Sequence, residues 1–273
     1  MASRAIFLLS ATAGLLFLAL VAAQTDATDR SARRATSTKE EQLRFPRVRT
    51  AQREKDAIVR ALVAAKGLSY PPRAILLRAF KREGVLELWG ADTTAGPYAL
   101  LKTYGICATS GVLGPKRRFG DEQVPEGFYD LDFFNPQSNF YLSLHINYPN
   151  AADRILGYRQ NLGGTIYLHG NCASIGCIPI TDDGIKEVYW LAVLVRENGA
   201  RYLPIQIFPG RLNDAGFRDL ARTHLGQPEL LSFWSNLKEG YDLFEKDHRV
   251  RNMRVAKDGR YEFLEDSAQV GLR

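Results

Sequence analysis

From residue 74 onward the chain breaks into short apolar or alternating runs, and this pattern limits the fold more than any other feature. "AILLRAF" (74–80), "VLELWG" (85–90) and "YALLKTYGICA" (98–108) are separated by "KREG" and "DTTAGP". Runs of this length with turn residues between them read as a strand meander. A loop rich in Gly and Pro spans roughly 109–127, and "FYDLDFF" (128–134) and "NFYLSLHI" (139–146) continue the strand pattern. "NYPNAADRILGYRQNLGG" reads as a polar loop leading to a further strand, "TIYLHG" (165–170).

The period changes at the two ends. Over 51–66, Ala57, Ile58, Ala61, Leu62 and Ala65 fall on one side of a helix that Gly67 can end. A second helix is expected from Thr181 or Asp182, with Ile185, Val188, Tyr189, Ala192 and Val195 as its apolar stripe and Asn198-Gly199 as its close. "RYLPIQIF" (201–208) returns to strand. Leu230, Phe233, Trp234, Leu237, Tyr241 and Phe244 then recur at helical spacing, and Asp258-Gly259 suggests a last hairpin. The expected class is α+β: a mainly antiparallel β-sheet or sandwich with an N-terminal helix and C-terminal helices.

The first residues belong to a different problem. Arg4 precedes an apolar run ending at Val21-Ala22-Ala23, the pattern of a secretory signal over 1–23. An uncleaved anchor is the other reading, and only then would the chain be held at a membrane. Residues 24–50 read as a flexible tether, 51–210 as the main domain and 211–273 as a helical extension with a hairpin. Beyond the signal, 35 basic face 30 acidic side chains, with no basic stripe among aromatics, so nucleic acid is not inferred as a partner. Export leaves three cysteines, Cys107, Cys172 and Cys177, an odd count in an oxidising compartment.

Two of those cysteines lie in "HGNCASIGC" (169–177). Four readings compete. His169 and the cysteines can be inert and buried. They can hold zinc, although a closed site needs four ligands and no fourth Cys or His is near. Cys172 and Cys177 can form a local disulfide. Or Cys177 can be a nucleophile with His169 as its base, since a free thiol is mostly protonated at neutral pH and needs help to react. In that last case the N–H groups of Gly176 and Cys177 can face a developing oxyanion. Local features alone leave the disulfide and the Cys/His pair level.

A longer comparison adds weight. "HGNCASIGCIPITDDGI" resembles the catalytic signature of the L,D-transpeptidase (YkuD-type) domain, in its YafK-like exported subgroup. "GPKRRFGDEQVPEGFYDL" (114–131) and "FYLSLHINYPNAADR" (140–154) resemble two further blocks of that family in the same order. The resemblance covers about residues 70–210. It implies Cys177 as acyl-accepting nucleophile and His169 as general base, with Gly170, Ser174 and Gly176 shaping the site. Ile175 stands where most of the wider family has a His, and the His-to-Cys spacing is shorter. The implied chemistry is acyl transfer from a peptidoglycan stem peptide through a thioester, with no metal and no organic cofactor. An amine acceptor gives a cross-link or an attached protein. Water gives hydrolysis, which in this subgroup includes detachment of an envelope lipoprotein. A non-catalytic peptidoglycan-binding module on the same fold is the remaining alternative.

Further candidates follow from the matched blocks. Arg154, Lys116 and Arg118 can hold substrate carboxylates, Arg117 reads as solvated, and Tyr158 and Tyr167 read as core aromatics. His145 reads as structural. The odd count and the need for a reduced nucleophile together suggest a Cys107–Cys172 disulfide that leaves Cys177 free.

Overall fold

Strand β1 (Ala74–Phe80) is buried along its whole length because both of its sides are covered. The computed structural model describes residues 39–264. Along β1, Ile75, Leu77 and Ala79 enter the main core, whereas Ala74, Leu76 and Phe80 enter two smaller clusters on the opposite face. Beside it lie β2 (Val85–Ala91) and β3 (Ala99–Gly105), an antiparallel meander. On its other edge β1 pairs in parallel with β8 (Pro204–Phe208), which arrives from far along the chain. The sheet continues antiparallel through β4 (Gly127–Asn135), β5 (Ser143–Ile146) and β6 (Ile166–His169), and ends on a short parallel strand, β7 (Ile178–Pro179). The order is β3-β2-β1-β8-β4-β5-β6-β7, mixed but mainly antiparallel, within an α+β fold.

One face of the sheet packs against α4 (Thr181–Glu197), a helix buried almost all round from Gly184 to Val195. Helix α2 (Pro46–Ala64) packs on α4 in turn, preceded by the single turn of α1 (Lys39–Gln42). The expected face of α2 is corrected here. Ala57, Ile58, Ala61 and Ala65 are exposed, and Val48, Ala51, Lys55, Val59 and Val63 are buried. Lys55 decides the matter: its stem lies in the interface while its ammonium meets Asp183 at 2.7 Å and Glu187 at 3.4 Å. The tether is shortened too, since residues 39–42 and 46–50 are helical, with Pro46 at the first position of α2. The signal read over 1–23, and the tether as far as residue 38, lie outside the described residues.

The segment read as a polar loop after β5 contains α3 (Ala151–Leu156). Asn150 and Asp153 cap it reciprocally, side chain to backbone. On the second face of the sheet, α6 (Pro228–Asp247) lays Trp234, Leu237, Tyr241 and Phe244 over β1, β2, β4 and β8. It is joined there by α5 (Asp214–Thr223) and by the hairpin of β9 (Met253–Val255) and β10 (Tyr261–Phe263). These elements share their core with the sheet, so the described part of 211–273 is not a separate body. Among the described residues no helix is long and apolar enough to cross a membrane.

The long loop between β3 and β4 is held by Glu126. This buried carboxylate accepts from Lys81 Nζ (2.9 Å), the Gly114 amide (2.8 Å) and Trp234 Nε1 (2.7 Å). Glu126→Ala leaves the half-buried Lys81 ammonium only the Gly114 and Val124 carbonyl oxygens and strips the Gly114 amide and Trp234 Nε1 of their acceptor, at a cost of roughly 1–3 kcal/mol. The expected result in urea is a matching fall in unfolding free energy. A loss below ~1 kcal/mol would show that Glu126 does not hold the loop.

Candidate functional site

The second face of the sheet is covered over β1 and β8 but open over β5 and β6. Leu144, Ile146, Ile166 and Leu168 turn into the main core, so the alternation puts Ser143, His145, Tyr167 and His169 on the open face. A cleft of about 630 Å³ lies there. Four loops wall it: Lys116–Glu122, Ser138–Phe140, Gly163–Thr165 and Ala173–Cys177. His169 and Cys177 both line it, His169 at the end of β6 and Cys177 in the loop just before its partner β7.

His169 ends β6 and is 1% exposed. Its ring lies 4.7 Å from that of Phe140, and Nδ1 sits 2.5 Å from the Gly170 carbonyl oxygen. A carbonyl only accepts, so Nδ1 carries the proton, and Nε2 of the neutral ring is left as an acceptor. Burial holds the His169 pKa below its ordinary value, against the Gly170 hydrogen bond. Cys177 is free and half-buried, with Sγ 4.0 Å from the Thr165 carbonyl oxygen. Burial pushes its thiol pKa up, and a backbone hydrogen bond from Tyr167 and the charge of Lys116 only partly oppose this. Both shifts favour the uncharged form of the group concerned.

The loop joining them is fixed from several sides. Cys107 and Cys172 form a disulfide that ties it to the end of the meander. The Asn171 amide donates to Asp182 Oδ1 (2.7 Å), so Asp182 serves this loop rather than capping α4. Ser174 Oγ donates to the Cys177 carbonyl oxygen (2.8 Å) and accepts from the Gly176 amide (3.2 Å). The Gly176 N–H is thus already engaged, which corrects its expected place among free oxyanion donors. Gly176 has φ +128°, and a Cβ there would stand 3.1 Å from the Gln123 carbonyl oxygen. A Cβ on Gly170 would meet Asp182 Oδ1 at 2.6 Å and the Phe140 carbonyl oxygen at 2.9 Å. Both positions need glycine for the loop to close.

The basic candidates fare differently. Lys116 borders the cleft, but its ammonium is spent on Asp121 Oδ1 (2.5 Å) and the Arg118 carbonyl oxygen (2.9 Å). Arg118 and Arg154 are exposed and do not border the cleft. Arg154 lies on the outer face of α3, whose inner face carries Ala152 and Asp153. Arg117 is half-buried, 3.6 Å from Asp153. Tyr167 lines the cleft instead of the core, while Tyr158 is exposed and outside it. His145 Nδ1 lies 2.6 Å from Asp132 Oδ1. Ser143, on the same face two residues earlier, was missed; strand alternation through His145 was the available signal. Among the described residues no three His, Cys, Asp or Glu are grouped to hold a metal ion.

A free thiol and a buried imidazole at the open end of a mixed α+β sheet describe an L,D-transpeptidase-like architecture. No family model matches the sequence. The chain is 35% identical over 189 residues to the "Putative L,D-transpeptidase YafK" of Escherichia coli K12, covering 68% of this chain and 72% of that protein. The protein of the same name from Escherichia coli O157:H7 matches equally. The chain belongs to the L,D-transpeptidase family, as a YafK-like member. Solved structures that resemble it more distantly include the helical cell shape determining protein Pgp2 of Campylobacter jejuni (TM-score 0.41, 17% identity, 67% of this chain and 73% of that one). An L,D-transpeptidase of Xylanimonas cellulosilytica is similar at TM-score 0.33 and 10% identity, over 50% of this chain and 61% of that one.

Proposed function

We propose that the chain is a cysteine acyltransferase of the cell envelope acting on peptidoglycan stem peptides, exported by residues 1–23. One observation carries the reading: a free thiol shares a cleft with an imidazole whose Nδ1 faces the Gly170 carbonyl oxygen, so that in the neutral ring Nε2 is the acceptor. Family membership supplies the substrate class.

Cys177 Sγ attacks the carbonyl carbon of the L-to-D linkage at meso-diaminopimelate while its proton passes to His169 Nε2. The C–N bond breaks, the departing amine takes that proton, and a thioester remains. An entering amine then forms a new amide and frees the thiol, with His169 again taking and returning the proton. Gly170, Ser174 and Gly176 hold the loop in shape for both halves. Arg118 and Arg154 have no part in this scheme, and no cofactor enters it.

The test is a digest of peptidoglycan carrying both cross-links and attached lipoprotein, read by mass spectrometry with Cys177→Ala alongside. New 3-to-3 cross-links or exchanged terminal residues, absent with the variant, support the transferase. Released lipoprotein or shortened stems would make water the acceptor on the same thioester. Identical products from both proteins would overturn the catalytic reading and leave a peptidoglycan-binding module.

A further inference from the structure

Ser143 opens β5 directly opposite His169 on β6 and opposite Asn135 on β4, so a polar row crosses three strands toward the imidazole. The Ser143 side chain is 1% exposed, lines the cleft, and its Oγ has no hydrogen-bond partner in the protein. Among the described residues the other buried side-chain atoms in that condition are on Arg78 and Arg117, neither of which borders the cleft. A buried hydroxyl without a protein partner weakens a fold, and one facing a cleft beside a base takes its partner from whatever occupies the cleft.

Resting on the thioester reading above, we propose that Ser143 Oγ accepts the second hydrogen of the amine or water that enters or leaves at the Cys177 thioester carbon. An attacking primary amine or water carries two hydrogens. One must point at His169 Nε2, which takes it as the new C–N or C–O bond forms. The other needs an acceptor fixed on the cleft floor, or the attacking lone pair swings off line. Side chains paired across neighbouring strands stand about 4.5–5.5 Å apart at Cβ, a gap that one nitrogen or oxygen atom can bridge with a hydrogen bond to each. By microscopic reversibility the departing amine of the first half-reaction uses the same acceptor. The thiol attack does not, because Sγ has one hydrogen and gives it to Nε2.

This separates two reactions of one nucleophile. A carbapenem acylates a cysteine by opening a lactam whose nitrogen is tertiary; that nitrogen leaves with only the proton delivered by His169. A stem tetrapeptide ending in D-Ala releases a primary amine and then admits an amine or water. Ser143→Ala is therefore expected to form the carbapenem adduct at Cys177 at the wild-type rate, within ~2-fold, while tetrapeptide turnover falls about tenfold. Its melting temperature should be unchanged or raised, since an unpaired buried hydroxyl has been removed. Ser143→Thr, which keeps a hydroxyl, should recover turnover.

Carbapenem and tetrapeptide reactions falling together, with a lowered melting temperature, would make Ser143 structural and overturn the proposal. So would tetrapeptide turnover at the wild-type rate in Ser143→Ala. A wild-type protein that reacts with neither compound would instead bring down the thioester reading, and this inference with it.

Discussion

Cys177→Ala is expected to form no covalent adduct and to lower stem-peptide turnover by ~10⁴-fold or more, as loss of a nucleophile does elsewhere. His169→Gln keeps a side chain of similar reach but removes the base, and should cost ~10²–10⁴-fold. Because the two act as a unit, the double variant should be no slower than Cys177→Ala alone. The pH dependence is the sharper measurement. Burial lowers the His169 pKa from 6.5, so the base stays neutral, and acylation stays level, until the pH drops below that value. Burial raises the Cys177 pKa from 9.0, so free thiolate is scarce across the neutral range. Wild-type acylation by a carbapenem should therefore show a plateau with an acid limb below 6.5. In His169→Gln the plateau should vanish and the rate should climb with pH beyond 9.0, following the thiolate. A wild-type rate that itself climbs only above that point would mean that His169 takes no proton from Cys177.

The Cys107→Ser/Cys172→Ser double variant is expected to lose roughly 4 kcal/mol of stability, the loop-entropy value for residues 65 apart in sequence. For a chain of this size that is a fall of about 8–16 °C in melting temperature. The bond also anchors the loop that carries Ser174, Gly176 and Cys177, so reactivity at Cys177 should become slower and less uniform. Melting curves with and without a reductant give the first result, and thiol-labelling kinetics give the second. Peptide mapping without reduction must return the Cys107–Cys172 pair; a Cys172–Cys177 peptide would remove both the anchor and the nucleophile.

The parts of the fold legible in the sequence were those with local causes. β1 through β4 follow from runs of one period bounded by turn residues, and α4 and α6 from long apolar stripes. What could not be read has tertiary causes. The buried face of α2 depends on Asp183 and Glu187 of α4, which give Lys55 a partner; without them Ile58 is the better core residue on hydrophobicity alone. Helix α3 is stabilised by Asn150 and Asp153, two polar residues that look like loop until their reciprocal cap is seen. β7 has two residues and exists only through β6. At the site, His169 and Cys177 stood out by residue type and by family resemblance. Ser143 did not: alternation through His145 could have put it on the same face, but its burial without a partner shows only in the folded sheet. Arg154 was a candidate because it ends a block that resembles the family, and only the fold shows it on the outer face of α3, away from the cleft.

The place of β8 has a consequence for the order in which the chain can become native. Its residues 204–208 are the neighbours of β1 and of β4 at the centre of the sheet, so the strands 74–105 and 127–169 lie on either side of a gap that only a late segment fills. Contacts across such sequence distances make slow folding, since the loop must close before the pairing rewards it. Until that segment is available the two half-sheets have unpaired central edges, the kind of surface that joins to other chains. Made from its N-terminus, the chain has to reach residue 208, about three-quarters of the 273 residues, before its two half-sheets can join, so the sheet closes late and all at once.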